Sequence, residues 1–160
     1  PTKGFQHIGF LLKGFTALTD RLSALMRPTP EDLEDREFFE TSTRLMFYTI
    51  AVALSQIANN DEIGKFSAHL IPDGEIYFGI KDDVAATIRV KDHRLVTIKQ
   101  RCEKPRAFME FADIDLARDL FDGKVNAVAC IGEGKIEMKG MINMIDNLNR
   151  ILDRVALYLA

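Results

Sequence analysis

The sequence predicts an α+β fold in which helices cover one face of a mostly antiparallel sheet. Three patterns carry that expectation. From Phe5 to Met26 the apolar residues recur at helical spacing, and a capped, largely apolar stretch continues to Ala58. From Lys65 the period falls to two, in short runs broken by turn residues. Finally, an amphipathic stretch from Met141 to Leu159 follows directly on one alternating strand between glycines, Gly134-Lys135-Ile136-Glu137-Met138-Lys139-Gly140.

The elements follow in order. Phe5, Ile8, Leu12, Phe15, Leu22 and Leu25 or Met26 fall near one face, which predicts a helix over 5–26. Gly9 and Gly14 each weaken it by about 1 kcal/mol relative to alanine. Arg27-Pro28-Thr29-Pro30 stops it. Thr29 is placed to cap a second helix, with Pro30 at its first position, Asp32 at its third, and Glu31, Glu34 and Asp35 adding carboxylates where the helix dipole favours them. That helix is expected over 30–58. Its run Leu45 to Leu54 is apolar all round and calls for burial on more than one side. Asn59-Asn60-Asp61 ends it.

Phe66, Ala68 and Leu70 then alternate with Ser67 and His69, which predicts a first strand. Pro72-Asp73-Gly74 turns the chain, Ile76, Phe78 and Ile80 alternate next, and Lys81-Asp82-Asp83 turns it again. Strands over 84–90 and 95–101, joined at Lys91-Asp92-His93-Arg94, complete an antiparallel meander, and 106–111 is a further strand. Asp113 caps a helix carrying Ile114, Leu116, Ala117, Leu120 and Phe121, with Gly123 just past its end. Residues 126–131 fit either a short helix capped by Asn126 or a buried strand.

Composition limits what such a chain does. Its 160 residues suit one domain with a real core. A net charge of −3 with mixed signs lacks the basic stripe of a nucleic-acid interface. Cys102 and Cys130 have no metal-ligand spacing and read as reduced thiols. Lys3 followed by Phe5-Gln6-His7-Ile8 gives no uninterrupted apolar segment for a signal peptide, and Leu45 to Leu54 is shorter than the roughly 20 residues of a membrane span. A cytoplasmic protein without stable membrane insertion is expected.

No catalytic constellation stands out. His7, His69 and His93 share no ligand spacing, so no metal is expected. Asp82-Asp83 and Asp113-x-Asp115 are explained by turn and cap roles. Gly132-Glu133-Gly134 lacks the third glycine and the strand-to-helix setting of a dinucleotide fingerprint, and no nucleophile elbow or phosphate loop is present. Arg101, Lys104 and Arg106 form a small basic group around Pro105, readable as a solvated loop or as a contact for a carboxylate or phosphate.

From about Phe66 to Leu159 the chain resembles the type 2 sterol carrier protein domain family. The residues that carry the resemblance are Phe66-Ser67-Ala68-His69-Leu70-Ile71 for its first strand and Arg106-Ala107-Phe108-Met109-Glu110-Phe111 for the strand before an acidic-capped helix. Asp113 to Gly123 matches that helix, and Gly134 to Gly140 the final strand, with the C-terminal helix behind it. Two features depart from the family pattern. Met141 stands where many members have an acidic residue, and Arg101-Cys102 where many have a strand-ending glycine.

The resemblance implies about five strands, mostly antiparallel, covered by helices, with a short helix before the last strand. The two N-terminal helices are additional. It also implies an apolar tunnel between sheet and helices for a fatty acid, fatty acyl-CoA or sterol-like lipid, with no catalysis and no cofactor. The residues placed to line that tunnel are Phe108, Phe121, Met138, Met141, Met144, Ile145 and Leu148. Methionine suits an adaptable apolar site and equally fills gaps in a closed core. The alternative is a closed-core interaction or dimerisation module, a homodimer included, with no ligand. Residues 1–160 are read as one domain, a helical part over 1–60 packed on a carrier-like part over 61–160.

Overall fold

The computed structural model describes the backbone of residues 8–159 and the side chains of 15–158. The readings that rest on Lys3, Phe5, Gln6 and His7 lie outside them, as do those on the side chains of Ile8, Gly9, Leu12 and Gly14. The chain divides into two compact units at Leu45/Met46.

The first unit holds helix α1, Ile8–Met26, and the start of α2, Arg36–Asn60. The long helix expected from Pro30 begins later. Thr29 and Asp32 bond each other reciprocally, the Thr29 N–H and hydroxyl both donating to Asp32 Oδ2 at 2.9 Å. This closes a short 3₁₀ turn, Asp32–Glu34. The cap of α2 is Asp35, whose Oδ1 accepts from the Glu37 and Phe38 N–H groups at 2.9 and 3.2 Å. Thr29 therefore does cap, but it caps a turn.

In the second unit, α2 ends at Asn60 and α3, Glu62–Leu70, follows at once. Asp61 caps α3 by accepting from the Gly64 N–H at 2.8 Å. The strand expected over 66–70 is thus a helix, and the sheet starts one element later. Its strands are β1 Gly74–Ile80, β2 Ala85–Lys91, β3 Arg94–Ile98, β4 Ala107–Phe111 and β5 Ile136–Gly140. They lie in the order β3-β2-β1-β4-β5. Helices α4, Ile114–Phe121, and α5, Ala127–Gly132, separate β4 from β5, and α6, Ile142–Leu159, closes the fold.

β1, β2 and β3 form the expected antiparallel meander, with Gly79 opposite Ala85 and Val90 opposite Leu95. Asp92 and His93 both take positive φ, as a tight hairpin turn of right-handed twist demands. β4 leaves the meander pattern: it pairs with the other edge of β1 in parallel, Ile76 opposite Ala107. Residues 99–106 must therefore cross from the β3 edge over β2 and β1, which makes them a strap. β3 stops at Ile98 because the chain turns there, and the strap is tied down where the Thr87 hydroxyl donates to the Gln100 carbonyl at 2.6 Å.

The expected caps hold for the remaining helices. Asp113 accepts from the Leu116 N–H at 2.7 Å, and Gly123 leaves α4 at φ +68°. Asn126 accepts from the Ala129 N–H at 3.1 Å, which settles 126–131 as a helix.

One face of the sheet meets the helices. Phe47 of α2 stacks on Phe78 with ring centroids 4.9 Å apart. Ser55 bonds Thr97, and Asn59 brackets Leu95, donating to its carbonyl at 2.8 Å and accepting from its N–H at 3.0 Å. α3 packs on α2 through small residues: a Cβ on Gly64 would sit 2.2 Å from the Ile57 carbonyl oxygen. α6 packs on α3 and β4. Arg154 and Tyr158 of α6 both donate to Asp61 Oδ2 at 2.9 Å. The Arg154 bond first, then the Gly64 N–H and the Tyr158 hydroxyl, hold the Asp61 carboxyl well below the usual carboxylate range.

Candidate functional site

Strand alternation sends Ile76, Phe78, Ile88, Met109 and Phe111 toward the helices, where all five are buried. Their aromatic members continue the contact begun at Phe47. Phe78 meets Phe111 edge-on at 5.6 Å, and Phe111 meets Phe121 of α4 edge-on at 6.0 Å. This line of rings runs from α2 across β1 and β4 to α4 and forms the apolar floor of the helix face.

Of the seven residues picked from the sequence, six belong to this side. Met144 and Leu148 of α6 are fully buried and Ile145 is 6 % exposed. A side chain bordering a water-filled cavity keeps accessible surface, so Met144 and Leu148 are closed core in this state. Phe121, Met138 and Met141 are half-buried. Met138 sits on the edge strand opposite Met109 in register, and Met109 is only 3 % exposed. Helical cover therefore thins from β4 to β5. Phe121, Met138 and Met141 mark that thinner rim, and Met144, Ile145 and Leu148 mark the packed interior.

Phe108 is separate. It lies opposite Tyr77 in register and stacks on it, with centroids 4.5 Å apart and planes within 8°, on the outer face of the sheet. The sequence 107–111, Ala-Phe-Met-Glu-Phe, has an aromatic on each face and gave no cue to which one looks inward.

The outer face has a chemistry that sequence reasoning missed. Tyr77 is 2 % exposed and its hydroxyl donates to Glu110 Oε1 at 2.8 Å. Its ring lies along its own strand over Gly79, where a Cβ would be 2.4 Å from the hydroxyl oxygen. Burial, then the bond to Glu110 and the charge of that carboxylate, push the Tyr77 hydroxyl up to about 12. The Arg101 guanidinium from the strap sits 5.0 Å over the Tyr77 ring and opposes that rise. The ion pairs Glu75–Arg89 and Glu137–Lys139 lie on the same face. The only sequence signal was Ile-Tyr-Phe-Gly, a glycine two places after a tyrosine on a strand.

The remaining candidates have structural roles. His69, in the last turn of α3 and not on a strand, stacks on His93 at 4.4 Å with planes within 9°. Parallel rings aim their in-plane nitrogen lone pairs side by side, which does not suit joint metal ligation. Among the described residues no three His, Cys, Asp or Glu side chains are placed to hold a metal ion together. Cys102 is half-buried and Cys130 buried, both free. Arg106 donates to the Asp73 carbonyl and is tied to the β1 turn. Among the described residues no helix is long and apolar enough to cross a membrane.

No family model and no curated protein matches the sequence. The fold does match solved structures. A UbiJ-SCP2 ubiquinone synthesis protein aligns with a TM-score of 0.52 at 14 % identity, covering 72 % of this chain and 93 % of that one. The sterol carrier protein domain 2 of Helicoverpa armigera aligns at 0.52 and 17 %, covering 69 % and 87 %. A crystal structure of sterol carrier protein 2 aligns at 0.50 and 14 %, covering 69 % and 93 %. The chain has the α+β fold of sterol carrier protein 2: five strands, mostly antiparallel with the one parallel pair β1–β4, covered by helices.

Proposed function

We propose that this protein is a non-catalytic carrier that binds an apolar lipid, a fatty acid, fatty acyl-CoA or sterol-like molecule, between the helix face of its sheet and the overlying helices. The observation that carries the reading is the fold shared with sterol carrier structures. The aromatic floor Phe78–Phe111–Phe121 supplies the apolar surface that such a ligand needs. Entry falls at the thin rim, where Phe121, Met138 and Met141 are half-buried and unbranched methionines move at low cost. Met144, Ile145 and Leu148 then define how far the core must open. Each buried methylene contributes about 0.8 kcal/mol, so a chain of about 16 carbons offers roughly 12 kcal/mol before association and ordering costs. Net micromolar binding results, weak enough for a carrier that releases its cargo.

Native mass spectrometry of freshly purified protein, with displacement of a fluorescent fatty-acid analogue by unlabelled lipids, tests the reading. A co-purifying lipid or saturable, displaceable binding is expected. A panel of acyl chains, acyl-CoAs and sterols with no saturable binding would sink it.

A second reading is an interaction or dimerisation module. It is favoured by the closed packing at Met144 and Leu148 and by the outward stripe of α3, where Ile63, Phe66 and Leu70 lie exposed at helical spacing. Self-association in sedimentation together with no lipid binding would select it.

A further inference from the structure

We propose that the crevice between the strap, residues 99–106, and the outer face of the sheet is a second binding site, built for a small flat aromatic anion. A cavity of about 390 Å³ opens there, lined by Tyr77, Arg101, Cys102, Glu103, Pro105 and Phe108. It lies across the sheet from the proposed lipid site and does not rest on that reading.

Charge is the first argument. The Arg101 guanidinium is held over the Tyr77 ring and makes no ion pair or hydrogen bond among the described residues. No nearby carboxylate is ion-paired to it: Glu137 pairs with Lys139, Glu110 accepts the Tyr77 hydroxyl, and Glu103 lines the crevice without reaching Arg101. A planar fork of donors, oriented by a ring and lacking an acceptor, is prepared for a carboxylate, sulfonate or phosphate.

Shape is the second. Tyr77 and Phe108 present nearly parallel rings, and Phe108 remains half-buried, so part of its surface is open to a ligand. Pro105 provides a rigid apolar wall on the strap. A flat ring lodged against Phe108 and Pro105 brings an acidic substituent to Arg101 and gains stacking with it. The volume lies near the small end of ligand pockets, roughly 300–1,000 Å³, which favours one or two fused rings over a long acyl chain. The floor is also built to stay in place: Gly79 makes room for Tyr77, and Glu110 fixes its hydroxyl.

The probe is naphthoate, titrated into isotope-labelled protein of residues 1–160 and followed by amide chemical shifts, with the neutral naphthalenemethanol as control. Each titration is run on the protein alone and after saturation with oleate. Saturable shifts are expected at the strap and around Phe108. Arg101→Gln, at an exposed position, and replacement of the acid by the alcohol should each weaken binding about tenfold, the worth of one charge-assisted bond. Phe108→Leu, which keeps bulk and loses the ring, should weaken it as well. Prior oleate should leave it unchanged. Absence of shifts at the strap, equal binding of the alcohol, an unchanged affinity in Arg101→Gln, or competition by oleate would each overturn the proposal.

Discussion

On the helix face of the sheet, Ile76, Phe78, Ile88 and Met109 are buried against helices and make few directional bonds. On the outer face of the same strands, Tyr77, Glu75, Arg89, Phe108 and Glu110 are held by a hydroxyl–carboxylate bond, an ion pair and a ring stack beneath a strap. Alternation along each strand separates two materials within one sheet. Burial is non-directional, so the helix face can trade one apolar contact for another. Hydrogen bonds and stacked charges have fixed geometry, so the outer face holds its shape and discriminates by chemistry. A greasy, adaptable ligand suits the first, and a small polar-tipped one the second.

The harshest way to break this contrast is a charge on the helix face. Met144→Lys buries an ammonium with no partner and should cost several kcal/mol, abolishing the cooperative melt. Met141→Lys, at the half-buried rim, should fold and lose lipid affinity instead. Thermal melts and lipid displacement on both variants separate interior from rim, and equal collapse would mean that no rim exists.

Next come the two aromatics of neighbouring strands. Phe78→Ala removes a fully buried ring packed between Phe47 and Phe111 and should cost about 3–5 kcal/mol in urea unfolding. Phe108→Ala removes a half-buried ring and should cost about 1–2 kcal/mol. Similar losses for the pair would erase the distinction between the faces.

Gly79→Ala probes the outer face alone. Its Cβ displaces the Tyr77 hydroxyl from Glu110 and should cost about 1–3 kcal/mol. The pH dependence follows. The native Tyr77 keeps its proton up to about 12, whereas an unfolded tyrosine loses it near the ordinary value of 10.0. Between those limits the unfolded chain binds fewer protons, so the stability from Tyr77 is complete below the unfolded value and lost as pH rises through the folded one. Spectroscopic tyrosine titration of Glu110→Gln should show the late titration moved down but not to the ordinary value, because burial is the larger cause. An unmoved curve would disconnect Tyr77 from Glu110.

The smallest effect is expected at a cap. Asp113→Ala removes the acceptor for the Leu116 N–H and should cost about 1 kcal/mol. Because α4 carries Phe121 against Phe111, fraying there should loosen the rim and change lipid exchange more than affinity. Stopped-flow release rates would reveal this, and an unchanged rate would place α4 outside the entry path.

Much of this organisation was legible in the sequence. The turns at Lys81–Asp83 and Asp92–His93, the caps at Asp113 and Asn126 and the glycine-bounded last strand all express local rules, and the structure keeps them. Helix α3 was misread for a physical reason. Its buried side is made of Gly64, Ser67 and Ala68, while Phe66, 65 % exposed, and Leu70 face outward. Close helix packing selects small residues, so equating large apolar groups with burial inverted the face. Asp61, three residues before Gly64, was the cap signal available. The strap escaped notice because it exists only through the parallel β1–β4 pairing, a long-range fact that no window of residues around 99–106 contains. The face taken by Phe108 is hidden for the same reason, since its register partner Tyr77 lies far away in sequence.

The parallel pairing also sets a timetable. β2 reaches β1, and β3 reaches β2, across short turns, so these strands close small loops and can zip together on the microsecond scale of hairpins. β4 can join β1 only after β2, β3 and the strap have been laid down, and β5 joins only after α4 and α5. Each step loses the entropy of a longer loop before its ladder bonds form. The meander is therefore expected to form early and the β4–β5 half late. Val90→Ala should therefore slow refolding, whereas Ile136→Val should leave refolding nearly untouched and hasten unfolding. The half expected to form last is also the half that carries Met138 and its rim, so the lipid entry proposed above lies in the part that the chain completes at the end.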